Sequence, residues 1–192
     1  MSKIHVVYAS RHGGTAGIAS RIAEILRAEG LEVVLSDAAD RPEASGFDAT
    51  LVGSGVYIGN WVKEGIEFLE RNQSTLATMP VWLFSSGPLP GSTKETDAAD
   101  PVTVALGPEE GPGSGGHRKI NELSAVIHPR GHRVFQGAFD PNDPPKSITE
   151  RLVRMMPASK DILPVGDFRE WDAIEAWAHE IARDLEAPVP VG

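Results

Sequence analysis

Short apolar runs alternate along this chain with longer stretches of helical period. Residues 3–8 hold a short apolar run, rich in β-branched side chains and ending at turn chemistry, which predicts a buried strand. From Thr15 to Glu29 the period changes. Ile18, Ile22, Ile25 and Leu26 fall on one helical face, Arg21, Glu24 and Arg27 on the other, and Gly30 stands at the C-terminal cap. Leu31 to Leu35 predicts a second strand, Asp37 to Gly46 a polar loop with one helical turn, and Asp48 to Ser54 a third strand running into Gly53-Ser54-Gly55. Trp61 to Leu76 predicts a helix, with Val62, Ile66 and Leu69 as its stripe and Phe68 beside it. Pro80 to Ser85 predicts the fourth strand.

Beyond it the pattern is lost. Residues 86–117 are rich in Gly and Pro and acidic (Glu95, Asp97, Asp100, Glu109 and Glu110 against Lys94), and 111–116 reads as a flexible linker. Regular structure is expected again at Lys119 to Ile127, a short helix with Ile120, Leu123 and Ile127 aligned. Arg133 to Phe139 predicts the fifth strand. A helix opening at Ser147, with Glu150 completing a capping box, follows. A last helix from near Asp167 has Trp171, Ile174, Ala178, Ile181 and Leu185 on one face.

Five strands separated by helices imply a parallel sheet covered on both faces, and uninterrupted apolar runs suit doubly buried strands. Ligands of such sheets bind at the carboxyl ends of the strands, where the strand order reverses. The relevant loops are 9–14, 54–60, 85–92 and the region after Phe139.

Composition narrows the chemistry. The 192 residues predict one domain over 1–187, with an insert at 88–117 and a tail at 188–192. A net charge of -9 argues against nucleic acid and against an anionic membrane surface. With no cysteine, disulfides, thiolate metal sites and cysteine nucleophiles are excluded. The N-terminus carries no signal-peptide pattern and no stretch approaches a membrane span, so a cytoplasmic protein is expected, any membrane contact being peripheral.

The loop Ala9-Ser10-Arg11-His12-Gly13-Gly14-Thr15 lies between a strand and a helix start. Backbone N–H groups and the helix dipole there favour an anion, with Ser10 and Thr15 as hydroxyl donors. It is no triphosphate loop, for no Lys follows its last Gly. Gly13, Gly14 and Gly17 do not give the dinucleotide fingerprint, and a phosphoacceptor domain needs carboxylates where Gly53-Ser54 and Ala9-Ser10 stand. His128 and His132 have zinc-like spacing, but Pro129 and Gly131 intervene, so a solvated turn is expected. Trp171 and Trp177 read as core or interface.

The form Ser-x-x-Gly-x-Thr resembles the flavodoxin phosphate loop, with His12 where a hydroxyl residue is usual. Tyr8 to Thr15, then Gly53-Ser54-Gly55-Val56-Tyr57-Ile58-Gly59-Asn60-Trp61 before a helix, then the Trp171 helix, are together similar to the flavodoxin-domain family that includes bacterial menaquinone-dependent protoporphyrinogen oxidase. The resemblance covers roughly residues 1–87 and 133–185. It implies a flavodoxin-like fold, a doubly wound five-stranded parallel sheet of order 2-1-3-4-5.

It also implies flavin mononucleotide (FMN) held by three loops. Ser10, Arg11, His12, Gly13, Gly14 and Thr15 would take the phosphate. Val56, Tyr57, Ile58, Gly59, Asn60 and Trp61, with Ser85, Ser86, Gly87, Pro88 and Leu89, would flank the ring. Tyr57 and Trp61 are the stacking candidates, Trp61 reading equally well as the first core residue of its helix. Gly55 and Gly59 suit a close backbone approach or plain turn geometry.

The expected function is an FMN-dependent redox protein. It is either an electron carrier or an oxidoreductase related to protoporphyrinogen oxidase, working with a redox partner protein, a quinone or a small molecule. The acidic insert stands where the membrane-quinone enzyme carries a basic one, so complementation of that oxidase is not expected. The alternative is a flavin-free flavodoxin-like scaffold.

Overall fold

The computed structural model describes residues 2–57, 59–87, 115–139 and 166–186. The first half runs β1 (Lys3–Ala9), α1 (Gly14–Ala28), β2 (Glu32–Asp37), a 3-10 turn (Ala38–Asp40), β3 (Ala49–Tyr57), β4 (Asn60–Trp61), α2 (Lys63–Leu76) and β5 (Val81–Ser86). The second runs α3 (Gly115–Ile127), β6 (Gly131–Phe135), β7 (Ala138–Phe139), β8 (Gly166–Asp167) and α4 (Trp171–Glu186).

The main sheet has the order β2-β1-β3-β5-β6 with every one of these neighbours parallel, which is the expected 2-1-3-4-5 order of the five long strands. Apolar residues at both parities of each strand give it two buried faces. Ile4, Val6, Leu51, Trp82 and Phe84 pack with α1 and α4. Val7, Ala9, Val52, Val81 and Leu83 pack with α2 and α3. The Phe84 ring lies on Gly53 of the neighbouring strand, where a Cβ would collide with the ring. Bulk at Gly53 is therefore excluded by Phe84, which is itself wedged edge-on against Trp177 with centroids 6.0 Å apart. Burying a side chain of this size contributes about 1.5–3 kcal/mol.

α1 buries Ile18, Ile22, Ile25 and Leu26, the predicted stripe. It ends as its sequence suggests. Gly30 takes φ 88°, and Leu31 N–H closes back on the Leu26 carbonyl at 3.1 Å. The predicted apolar faces of α2, α3 and α4 are likewise turned inward, with Phe68, Leu69, Ile120, Leu123, Ile127, Ile174, Ala178 and Ile181 all buried.

Several boundaries differ from expectation. β3 does not stop at Ser54 but continues to Tyr57, because β4 folds back on it with Val56 opposite Trp61 and Tyr57 opposite Asn60. Gly59, at φ 70°, makes that tight reversal feasible. Trp61 therefore belongs to a strand, and α2 begins at Lys63. The predicted linker also ends earlier: Gly115 and Gly116 form the first turn of α3. Close approach explains the glycine at 116, where a Cβ would collide with the Gly59 carbonyl oxygen.

The fifth long strand is β6, 131–135, rather than 133–139. It starts early because Arg130 N–H already bonds the Val81 carbonyl at 2.7 Å. Its chain leaves the sheet at Gly137, whose carbonyl accepts from Phe168 N–H, and β7 pairs antiparallel with β8 instead. Asp167 lies in β8 and accepts from Arg169 N–H, so it does not open α4, which starts at Trp171. The helix expected from Ser147, most of the 88–117 insert and the tail lie outside the described residues.

Candidate functional site

The strand order reverses between β1 and β3, and the loops after these strands meet there. Ser10 shapes the first loop: its Oγ accepts Gly13 N–H at 3.0 Å. Gly13 then turns the chain into α1 at φ 80°. The N-cap residue, Gly13, brings no side chain to cap α1, and the first turn of α1 holds no acid. The N–H groups of Gly14, Thr15 and Ala16 thus have no intrahelical acceptor, and the dipole adds positive potential. Thr15 is 3 % exposed, with Oγ1 turned toward Gly55, where a Cβ would meet it at 3.2 Å.

The second loop brings an aromatic ring to the first. A Cβ on Gly55 would lie 2.9 Å from Tyr57 Cε2, so the phenol ring rests along the bare backbone of β3. The Arg11 guanidinium lies over the same ring, 4.9 Å from its centroid, and the His12 ring is 6.1 Å away. Arg11 and His12 are half-buried. Val56 and Tyr57 are half-buried, Asn60 is exposed, and Ile58 lies outside the described residues.

The third loop is described as far as Gly87; Pro88 and Leu89 lie beyond. Gly87 takes φ 101°, and a Cβ there would be 3.5 Å from the Val56 carbonyl oxygen. Ser86 and Gly87 therefore sit beside the second loop, whereas Ser85 points into the core.

Ser85 is fully buried and links two aromatic residues. Trp61 Nε1–H donates to its Oγ at 2.8 Å, and its Oγ lies 2.9 Å from His132 Nε2. Trp61, 5 % exposed, packs with α2 and α3, edge-on to His132. His132 is accordingly a half-buried residue of β6 rather than part of a solvated turn; only His128, just past α3, is exposed. Sequence spacing alone missed this link, because the three residues come from three strands.

Arg169 was also invisible in the sequence. It chelates Asp167 through Nε (2.7 Å to Oδ1), covers the Trp171 ring at 4.4 Å and lies against Gly17, whose bare Cα leaves room for it. Its hydrogen bonds hold the Asp167 carboxyl below the usual range. Ala138 lies beside Gly14, where a Cβ would be 3.6 Å from Ala138 N. The β7–β8 pair thus reaches from the far edge of the sheet back to the start of α1. At the end of β1, burial and then the Asp37 and Asp40 carboxylates raise the Tyr8 phenol pKa, keeping it neutral.

A cavity of about 310 Å³ opens elsewhere, at the amino end of β5 and β6, beside Trp82, Arg130, Arg133, Trp177 and Glu180. Ion pairs from Arg130 to Asp184 and from Arg133 to Glu180 span it, so it reads as a surface groove of the α4 seam. Among the described residues no cluster of three ligating side chains forms a metal site, and no helix is long and apolar enough to cross a membrane.

The fold and this edge define a doubly wound α/β protein with an anion-ready helix start facing a tyrosine at the strand-order reversal. Residues 5–141 match the flavodoxin domain, and the chain belongs to that family. Solved flavodoxins share the fold over nearly the whole chain. Oxidised flavodoxin 1 from Bacillus cereus is 16 % identical at a TM-score of 0.54, covering 95 % of this chain and 98 % of its own. A cysteine-to-serine mutant of flavodoxin from Pseudomonas aeruginosa is 16 % identical at 0.56, covering 96 % and 99 %. Rubredoxin oxygen:oxidoreductase from Desulfovibrio gigas is 15 % identical at 0.54, with 97 % of this chain matching 36 % of that larger one. A search of curated protein sequences finds no match.

Proposed function

We propose that the chain binds FMN at the carboxyl edge of the sheet and passes electrons through it to a redox partner protein. The observation that carries this reading is the uncapped, acid-free start of α1 facing Tyr57 where the strand order reverses. The residues present fit the group. Gly14, Thr15 and Ala16 N–H, with the Thr15 hydroxyl, suit a phosphate monoester, and Ser10 shapes the loop by taking Gly13 N–H. Tyr57 offers a flat wall for the ring, and the backbone at Val56, Gly59, Asn60, Ser86 and Gly87 offers hydrogen bonds. Trp61 and Ser85 hold the β3–β4 turn from beneath. Bound FMN supplies hydride or single-electron chemistry; the chain supplies position and electrostatics.

Membership of the flavodoxin domain family and the likeness to flavodoxins along nearly the whole chain support a carrier. A net charge of -9 suits a basic docking partner. A quinone or small-molecule acceptor, as in oxidoreductases related to protoporphyrinogen oxidase, is the narrower version of the same reading, and a cytoplasmic location goes with both.

The absorption spectrum of the purified protein tests the proposal. Bands near roughly 375 and 450 nm, from the cofactor itself, are expected as isolated or after titration with FMN. A colourless protein that leaves the fluorescence of added FMN unquenched overturns it and leaves a flavin-free scaffold. The closure of the first loop through Ser10, and the cover that Arg11 gives the Tyr57 ring, favour that second reading.

A further inference from the structure

Arg11 stands out among the charged residues of the carboxyl edge. Arg169 is neutralised by Asp167, but Arg11 pairs with no carboxylate among the described residues. Its partner is the face of Tyr57, at 4.9 Å. Such a contact is weaker than a charge-assisted, bidentate bond from a guanidinium to a phosphate. Arg11 also sits beside the positive end of α1, which repels it in the absence of an anion and favours its presence once an anion arrives.

Two planar groups compete for one surface here. The Tyr57 ring edge is set against Gly55, so the ring has little freedom to turn a second aromatic face to the crevice while Arg11 keeps the first. A flat ligand ring stacking on that face must displace the guanidinium.

We infer that Arg11 is an exchangeable cation that selects for the phosphorylated ligand: over Tyr57 it excludes a flat ring, and it yields that face only when an anion at the start of α1 takes it as partner. The inference rests on the flavin reading of the site and assigns to Arg11 the discrimination between FMN and riboflavin, which share the ring and differ in the phosphate. Removal of Arg11 acts on the two ligands with opposite sign. Riboflavin gains the face that the guanidinium otherwise covers, whereas FMN loses a cation.

Titration of the full chain and of Arg11→Ala with FMN and with riboflavin, read by quenching of flavin fluorescence, tests it. Riboflavin is expected to bind Arg11→Ala about threefold to tenfold more tightly than the wild type, from the lost competition. FMN is expected to bind it about tenfold more weakly, from the lost charge-assisted bond. Arg11→Lys keeps the charge without the flat guanidinium, so riboflavin tightens while FMN stays within about threefold. Both affinities moving in the same direction, or riboflavin binding left unchanged, overturns the exchange while the flavin site stands. A wild-type chain that binds neither flavin overturns the site itself, and the exchange with it.

Discussion

The two ends of β1 are built to opposite rules. At its amino end, His5 is 1 % exposed, stacked on Phe47 with centroids 4.1 Å apart and bonded through Nε2 to Ser36 at 2.9 Å. Its Nδ1 is buried with no partner among the described residues. Past its carboxyl end, where α1 begins, the Arg11 guanidinium and the His12 ring gather around one phenol ring. One end hides a titratable group in the core and carries a cost there. The other leaves the first N–H groups of α1 without an intrahelical acceptor. A parallel sheet of this type keeps its stability at one edge and its recognition at the other, and substitutions at the two edges should separate accordingly.

The largest separation is in pH dependence. Burial pushes the His5 pKa down from 6.5 to about 4. The unfolded chain therefore binds an extra proton between those values, so stability is full above about pH 6.5 and falls as the pH drops toward 4. The loss is roughly 3 kcal/mol. Urea unfolding at pH 7 and pH 4.5 should show it. His5→Leu should flatten the profile and leave flavin affinity at pH 7 unaltered; an equally steep profile in that variant would assign the acid sensitivity to another group.

Ser85→Ala sharpens the comparison, because Ser85 is buried and yet lies at the carboxyl edge. It strands the Trp61 indole N–H and removes the His132 contact, at a cost of about 1–3 kcal/mol in the unfolding free energy. In a Trp61→Phe background the same change should cost measurably less, and strict additivity would show that the hydrogen bond contributes nothing. The smallest effect belongs to the open end alone. Thr15→Ala should weaken FMN binding about tenfold, roughly 1.4 kcal/mol, with little change in stability. Unaltered affinity would place the phosphate elsewhere.

How legible each region was follows from how local its determinants are. α1 carries its stripe, its turn residues and its terminal glycine within one stretch of chain, and the five long strands are short apolar runs between turn signals. The loop between β1 and α1, with Gly13 turning the chain into the helix, was legible for the same reason. What escaped is set by partners far apart in sequence. Strands of two residues, such as β4, β7 and β8, have no period to detect. Asp167 looks like a helix cap until Arg169 takes both its carboxylate and the turn. Gly116 looks like linker until Gly59 is seen against it. Arg11 and Tyr57 each drew attention alone, as a cation near phosphate and as a stacking residue. Their contact with each other, 46 positions apart, was not encoded in either stretch.

The placement of the indoles gives the molecule its own optical readout. Of four tryptophans, Trp82 and Trp177 sit in the interior on the α1–α4 face, and Trp171 lies under Arg169. Trp61 alone is carried by the β3–β4 reversal at the carboxyl edge of the sheet, its indole tied to a serine hydroxyl. Emission from the first two tracks the integrity of the sheet, while emission from Trp61 tracks the state of the edge. A chain keeping only Trp61, the other three replaced by Phe, would separate local loosening of the crevice from global unfolding without an added dye.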